Sequence, residues 1–224
     1  MTDARASAPV TDEPSEFRMS LGARGVSVLH RQALMSWLDE QTYLSSEARR
    51  QYGTVLWPAS IALALEIGER APEFRGKSVL ELGAGVGLAG IAAASVGARV
   101  VQTDRDGDAL AFCRDNARRN GVTLEQRVAD WTTWSSSDRY DWIIASDILY
   151  RETLHAQLRA IFNASLEPGG RLLIADPLRS ASIRLLQGME SEGWRVRMSR
   201  WTIGEGDDAR AIGVFELNQP QSMK

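Results

Sequence analysis

The chain has 224 residues, 44% hydrophobic and 25% charged, which suits one globular α/β domain with a sizeable core. A net charge of −3 argues against a basic nucleic-acid-binding surface over the whole molecule, so a nucleic-acid partner is not expected. The single cysteine, Cys113, rules out an internal disulfide and reads as a core residue of a helix; with two histidines the usual Cys/His metal clusters cannot be assembled, and no metal is expected.

Residues 1–16 are polar, carry Pro9 and Pro14, and read as a disordered tail. No leader pattern opens the chain and no run approaches a membrane span, so a cytoplasmic location is the default expectation. Residues 17–51 form an N-terminal extension. Phe17, Met19 and Leu21 alternate, Gly22 and Gly25 supply a turn, and Val26, Val28 and Leu29 continue as a second strand. Leu34, Trp37 and Leu38 have helical spacing, and 39–50 is a polar loop or short amphipathic helix.

The α/β domain is expected over 52–224. Pro58 biases Trp57 away from helix and suits the first turn of a helix over 60–67. Strands then follow at 78–82, 99–104, 123–128, 140–147 and 171–176, with helices at 86–96, 108–120, 152–166 and 180–192. A tight turn is expected at 167–170. The last strands, 194–201 and 211–217, are joined by a loop too short for a helical crossover and must pair antiparallel. The pattern predicts a Rossmann-like, seven-stranded, mostly parallel sheet with one antiparallel strand near an edge and helices on both faces.

In such sheets ligands bind beyond the carboxyl ends of the strands. Here the first parallel strand, Ser78-Val-Leu-Glu-Leu, breaks into Gly83-Ala-Gly-Val-Gly87 and enters a small-residue helix. Glycines let a ligand approach the backbone. Four strand ends carry acids, Glu81, Asp104, Asp130 and Asp147, which would converge on one pocket although each type also serves as a helix cap. Asp104 lies about twenty residues beyond the glycines, where an acid reaches a ribose diol, a spacing shared by dinucleotide and adenosyl cofactors. Glu81 discriminates: a carboxylate there repels a pyrophosphate but suits an ammonium or sulfonium.

Val79-Leu-Glu-Leu-Gly-Ala-Gly-Val-Gly87 resembles motif I of the class I, seven-β-strand S-adenosylmethionine-dependent methyltransferases. Leu56-Trp-Pro-Ala-Ser60 and Asp147-Ile-Leu-Tyr150 are similar to the Trp-Pro element and the Asp-x-x-Tyr motif of the protein-lysine methyltransferase group. Ala175-Asp-Pro-Leu-Arg179 resembles the Asp-Pro segment of members related to the electron-transfer-flavoprotein lysine methyltransferases.

The resemblance implies S-adenosylmethionine as cofactor and a protein lysine as acceptor. It places Glu81, Gly83 and Gly85 at the methionine end, Asp104 at the ribose, Asp130 and Trp131 at the adenine, and Trp57 over the cofactor. Ala84, Gly87 and Ser146 complete the cofactor-lining set, and Asp147 and Tyr150 would face the acceptor amine. From the residues alone, Trp57 and Trp131 also read as core aromatics and Tyr150 as a helix-entry residue. A small-molecule or RNA acceptor, a catalytically weak cofactor-binding scaffold and a nucleotide-dependent oxidoreductase stand as rivals. Ile148 and Leu149 replace the prolines usual in base-amino methyltransferases, and Arg195, Arg197 and Arg200 read as the solvated face of a strand.

Overall fold

A computed structural model describes residues 13–31 and 53–220. Most of the expected tail, the helical spacing at Leu34, Trp37 and Leu38, and the segment 39–50 lie outside the described residues. The hairpin is present as β1 (Ser15–Leu21) and β2 (Arg24–His30), antiparallel, with Phe17 opposite Val28. Ser15 and Glu16, read above as the end of a tail, belong to β1. Glu16 faces solvent and Ser15 is polar, so neither extends the apolar alternation that marks the strand.

Seven strands form the main sheet: β3 (Ser78–Leu82), β4 (Arg99–Asp104), β5 (Glu125–Val128), β6 (Tyr140–Ser146), β7 (Leu166–Asp176), β8 (Arg195–Ile203) and β9 (Arg210–Asn218). Their order is β5-β4-β3-β6-β7-β9-β8. Only β9 is reversed, one position in from the edge, because the short 204–209 connection forces β8 and β9 antiparallel. Residues 167–170 are an excursion inside β7 rather than a turn between elements. Tyr140 pairs with Leu166 and Trp142 with Arg171, so these four residues loop out of register.

The helices are α1 (Pro58–Glu69), α2 (Ala71–Phe74), α3 (Leu88–Ser95), α4 (Gly107–Arg119), α5 (His155–Ser165) and α6 (Ser180–Ser191). Strand alternation sorts them onto two faces. Val79 joins a core with Leu63 and Ile67 of α1 and Ile91 of α3, whereas Leu80 and Leu82 pack with Phe162 of α5 and Leu186 of α6. Strand order reverses between β3 and β6, so the glycine turn after β3 opens at the topological switch point.

The exposed edge of β2 is closed by α4 side chains. Asn116 within α4 and Asn120, the residue capping its C-terminus, lie four residues apart and act as a surrogate strand. Asn116 Oδ1 accepts Leu29 N–H at 2.7 Å, and its Nδ2 donates to Leu29 O and Val86 O, both at 2.9 Å. Asn120 does the same for Ser27, accepting its N–H at 2.9 Å and donating to its carbonyl at 2.6 Å. Asn116 is fully buried. Asn116→Ala strands one N–H and two carbonyls, and is expected to destabilise by about 2–4 kcal/mol. Thermal unfolding checks this as a midpoint lowered by roughly 5–15 °C.

Candidate active site

Three glycines set the path from β3 to α3. Gly83, Gly85 and Gly87 have φ of 68°, 55° and 86°, a left-handed region where side chains are strained. The space is also taken: a Cβ on Gly83 would lie 2.9 Å from Ile148 Cγ2 and 3.4 Å from the Trp131 ring. Trp131 therefore roofs the turn from beyond β5. From the other side comes Gly53, whose carbonyl would stand 3.4 Å from a Cβ on Gly85.

Three amides of this turn are already engaged by the protein. Ala84 N–H donates to Thr103 O (3.0 Å), Gly85 N–H to Asp104 Oδ2 (3.0 Å) and Gly87 N–H to Ala84 O (2.8 Å). The other Asp104 oxygen accepts Asp106 N–H at 3.0 Å. Burial pushes the Asp104 carboxyl up, against these two backbone donors.

Glu81 lies beneath the turn and is 3% exposed. Its carboxylate accepts Gln102 Nε2 at 2.7 Å and lies against Gly90 in the first turn of α3, where an added Cβ would fall 2.3 Å from Oε2. Burial pushes this carboxyl up to about 7, and Gln102 and the Gly90 backbone oppose the shift. The N-terminus of α3, where a phosphate would ordinarily sit, is thus occupied by a carboxylate of the chain itself. Cys113 stays in the core: its buried thiol donates to Gly85 O at 3.0 Å.

The remaining candidates are placed as follows. Asp130 is exposed and caps the short 3₁₀ turn Trp131–Thr133, with one oxygen accepting Thr132 N–H at 2.8 Å and Thr132 Oγ1 at 2.7 Å. A cavity of about 340 Å³ opens beside it, lined by Val101, Thr103, Val128 and Trp134. Trp57 is half-buried and caps α1, its carbonyl accepting Ser60 N–H at 3.0 Å and Ser60 Oγ at 2.8 Å. Ser146 ends β6, half-buried beside Ala175.

Asp147 follows with φ of 58°, an uncommon conformation for a residue other than glycine. Its N–H donates to Ala175 O at 2.9 Å, and its carboxylate is ion-paired with Arg179. Tyr150 is half-buried: burial pushes its phenol up, Arg105 and Arg151 pull it down, and Asp147 and Asp104 push it up further. Charged groups following both β4 and β6 thus act on the phenol.

The turn, Asp104 and Trp131 come together at the switch point, Asp147 and Tyr150 follow the end of the neighbouring β6, and exposed Asp130 sits at the rim. Two residues were not singled out from the sequence. Gln102 holds Glu81, and its only signal is a polar residue between apolar and β-branched neighbours in β4. Arg179 was quoted within the Asp-Pro segment but given no role. Among the described residues no group of three or more His, Cys, Asp or Glu is placed to hold a metal ion, and no helix is long and apolar enough to cross a membrane.

The sequence profile of the lysine methyltransferase family matches residues 38–188. The chain belongs to this family. As a lysine methyltransferase-family member it is 34% identical over 131 residues to protein N-lysine methyltransferase METTL21A of Xenopus tropicalis, covering 56% of this chain and 60% of that protein. It is 32% identical over 151 residues to METTL21A of Danio rerio, covering 62% and 69%. The matched region thus spans three-fifths to about two-thirds of the length of these curated relatives. The solved structure of the T. thermophilus 16S rRNA N2 G1207 methyltransferase RsmC, in complex with AdoMet and guanosine, is similar at a TM-score of 0.62 and 18% identity. That similarity covers 95% of this chain and 52% of the other, and it shows that the lysine methyltransferase-family chain shares the methyltransferase fold.

Proposed function

We propose that the protein is an S-adenosylmethionine-dependent methyltransferase that N-methylates a protein lysine side chain. The observation that carries this reading is the charge of the glycine turn. Glu81 lies beneath the turn against Gly90 and Asp104 takes Gly85 N–H, so the turn is backed by acidic groups where a pyrophosphate would need free amides. That suits a cofactor with a cationic amino acid end and a ribose diol, and disfavours a dinucleotide. The positive-φ glycines under the Trp131 ring fit the same group.

In this reading Glu81, Gly83, Ala84, Gly85 and Gly87 hold the methionine end, Asp104 the ribose, Asp130 and Trp131 the adenine, with Trp57 and Ser146 closing the pocket. When bound, S-adenosylmethionine would supply a methyl group activated on a sulfonium, whose sulfur would keep the C–S electron pair when the acceptor nitrogen takes the methyl. The chain's own task is to position and desolvate. A lysine amine, with a free pKa of about 10.4, must first lose its proton. Asp147 orients that amine and its cationic product, Tyr150 closes the acceptor side, and the proton leaves Nζ to water. The buried, single cysteine keeps a reducing, cytoplasmic setting part of the proposal.

Isothermal titration with S-adenosylhomocysteine and with NAD is expected to give binding of the first only. Incubating a cell lysate with the enzyme and tritiated cofactor is expected to label a protein in acid-stable form, with the label on methyllysine after hydrolysis. Absence of S-adenosylhomocysteine binding would sink the cofactor reading, and label confined to RNA or small molecules would sink the acceptor.

A further inference from the structure

Asp147 does not stand alone. After β7 the chain folds back so that Arg179 pairs with the Asp147 carboxylate, 32 residues away in sequence. Arg179 is itself fixed from below: its backbone N–H donates to Asp176 Oδ1 at 2.9 Å, and its guanidinium lies 3.5 Å from Asp176 Oδ2. Asp176 is fully buried and accepts Ser182 Oγ at 2.7 Å. The Arg179 and Asp147 side chains are 19% and 9% exposed, so the pair is largely shielded from screening by water.

We propose that Arg179 is a positioning residue that holds Asp147 in place and offsets its charge, so that the carboxylate orients the acceptor amine without locking it in the protonated form. This rests on the reading of Asp147 as the group facing that amine. A carboxylate beside an amine favours the ammonium, which cannot attack. A guanidinium on the same carboxylate opposes that effect, and arginine keeps its charge at every working pH. Among the described residues, this end of the sheet also carries Asp176 at the end of β7, Asp104 and Arg105 at the end of β4, and Tyr150 and Arg151 after β6. Without Arg179, Asp147 and Asp176 at the β6 and β7 ends would lose the guanidinium that reaches both carboxylates. Lysine could keep the charge, though not the planar fork that reaches both acids.

The test compares the native enzyme with Arg179→Gln and Arg179→Lys on a peptide centred on the lysine labelled in the lysate, with active sites counted by S-adenosylhomocysteine titration. For Arg179→Gln, kcat per active site at pH 7 is expected to fall about tenfold, with KM for the peptide unchanged or lower. The acidic limb of its kcat profile is expected to move up by about one pH unit, so activity recovers on the alkaline side. Arg179→Lys should restore most of the loss. A general loss of structure would reduce the number of binding sites and leave the limb where it was. An unmoved limb, or a raised KM with unchanged kcat, overturns the role of Arg179 while leaving lysine methylation standing. Failure of the native enzyme to label any amine overturns both.

Discussion

Asp147→Asn is expected to lower methyl transfer per active site by roughly 10²–10³-fold while changing S-adenosylhomocysteine affinity by less than about twofold. Asparagine is the informative replacement because Asp147 sits at φ 58°, a region that asparagine tolerates and most other residues do not. It keeps the shape of the side chain and removes only its charge. Asp147→Ala should lose activity to a similar degree but add about 1 kcal/mol of backbone strain, visible as a lower unfolding midpoint. Cofactor affinity is spared because the bonds that organise the glycine turn come from Asp104 and Glu81, on β4 and β3, not from β6. Single-turnover labelling and calorimetry on the same preparations separate the two quantities. Full methylation by Asp147→Asn would remove Asp147 from the acceptor side and return the Asp-x-x-Tyr resemblance to a coincidence of spacing.

The second large effect concerns Glu81 and pH. Burial raises this carboxyl to about 7 in the folded state, against an ordinary value of 4.5. A carboxyl whose folded pKa lies above its unfolded one binds its proton more tightly when folded. It therefore contributes stability that is complete below about pH 4.5 and is lost as pH rises through about 7. The span corresponds to about 3–4 kcal/mol at about 1.4 kcal/mol per unit. Glu81→Gln removes this titration, so urea unfolding at pH 5 and at pH 8 should show a smaller alkaline loss in the variant than in the native protein, by up to about 3 kcal/mol. S-adenosylhomocysteine affinity should fall roughly tenfold, because the carboxylate proposed for the cofactor's ammonium is gone. An equal alkaline loss in both proteins would mean that Glu81 is ionised throughout this range in the fold.

Much of this architecture could be read from the residues, and the failures have physical causes. The apolar runs of β3 to β9, the helical stretches between them and the short 204–209 link are local signals, and they led to a seven-stranded sheet with one reversed strand near an edge, though not to the order of its strands. The glycine turn announced itself because positive φ has a chemical signature. What stayed hidden depends on partners distant in sequence. Nothing local in Asn116 says that it will bond Leu29, 87 residues earlier, and nothing in Arg179 says that it will reach Asp147. Residues 167–170 carry turn chemistry, Pro168-Gly-Gly170, yet the ladder resumes beyond them, so only pairing with β6 reveals an excursion within one strand. Asp130 carries the same capping chemistry at any helix start, and its position at the rim could not be inferred from spacing.

The asparagine clasp on the hairpin also bears on the order in which the chain acquires its structure. Asn116 reaches Val86 across 30 residues, but Leu29 across 87, and Asn120 reaches Ser27 across 93. Closing the shorter loop is favoured, and α4 then presents two amides already aligned by its own helical backbone. The hairpin is thus expected to dock late, onto a surface that the remainder of the domain has completed. Its stabilising contacts then form after the main barrier to folding, so they act chiefly by slowing unfolding.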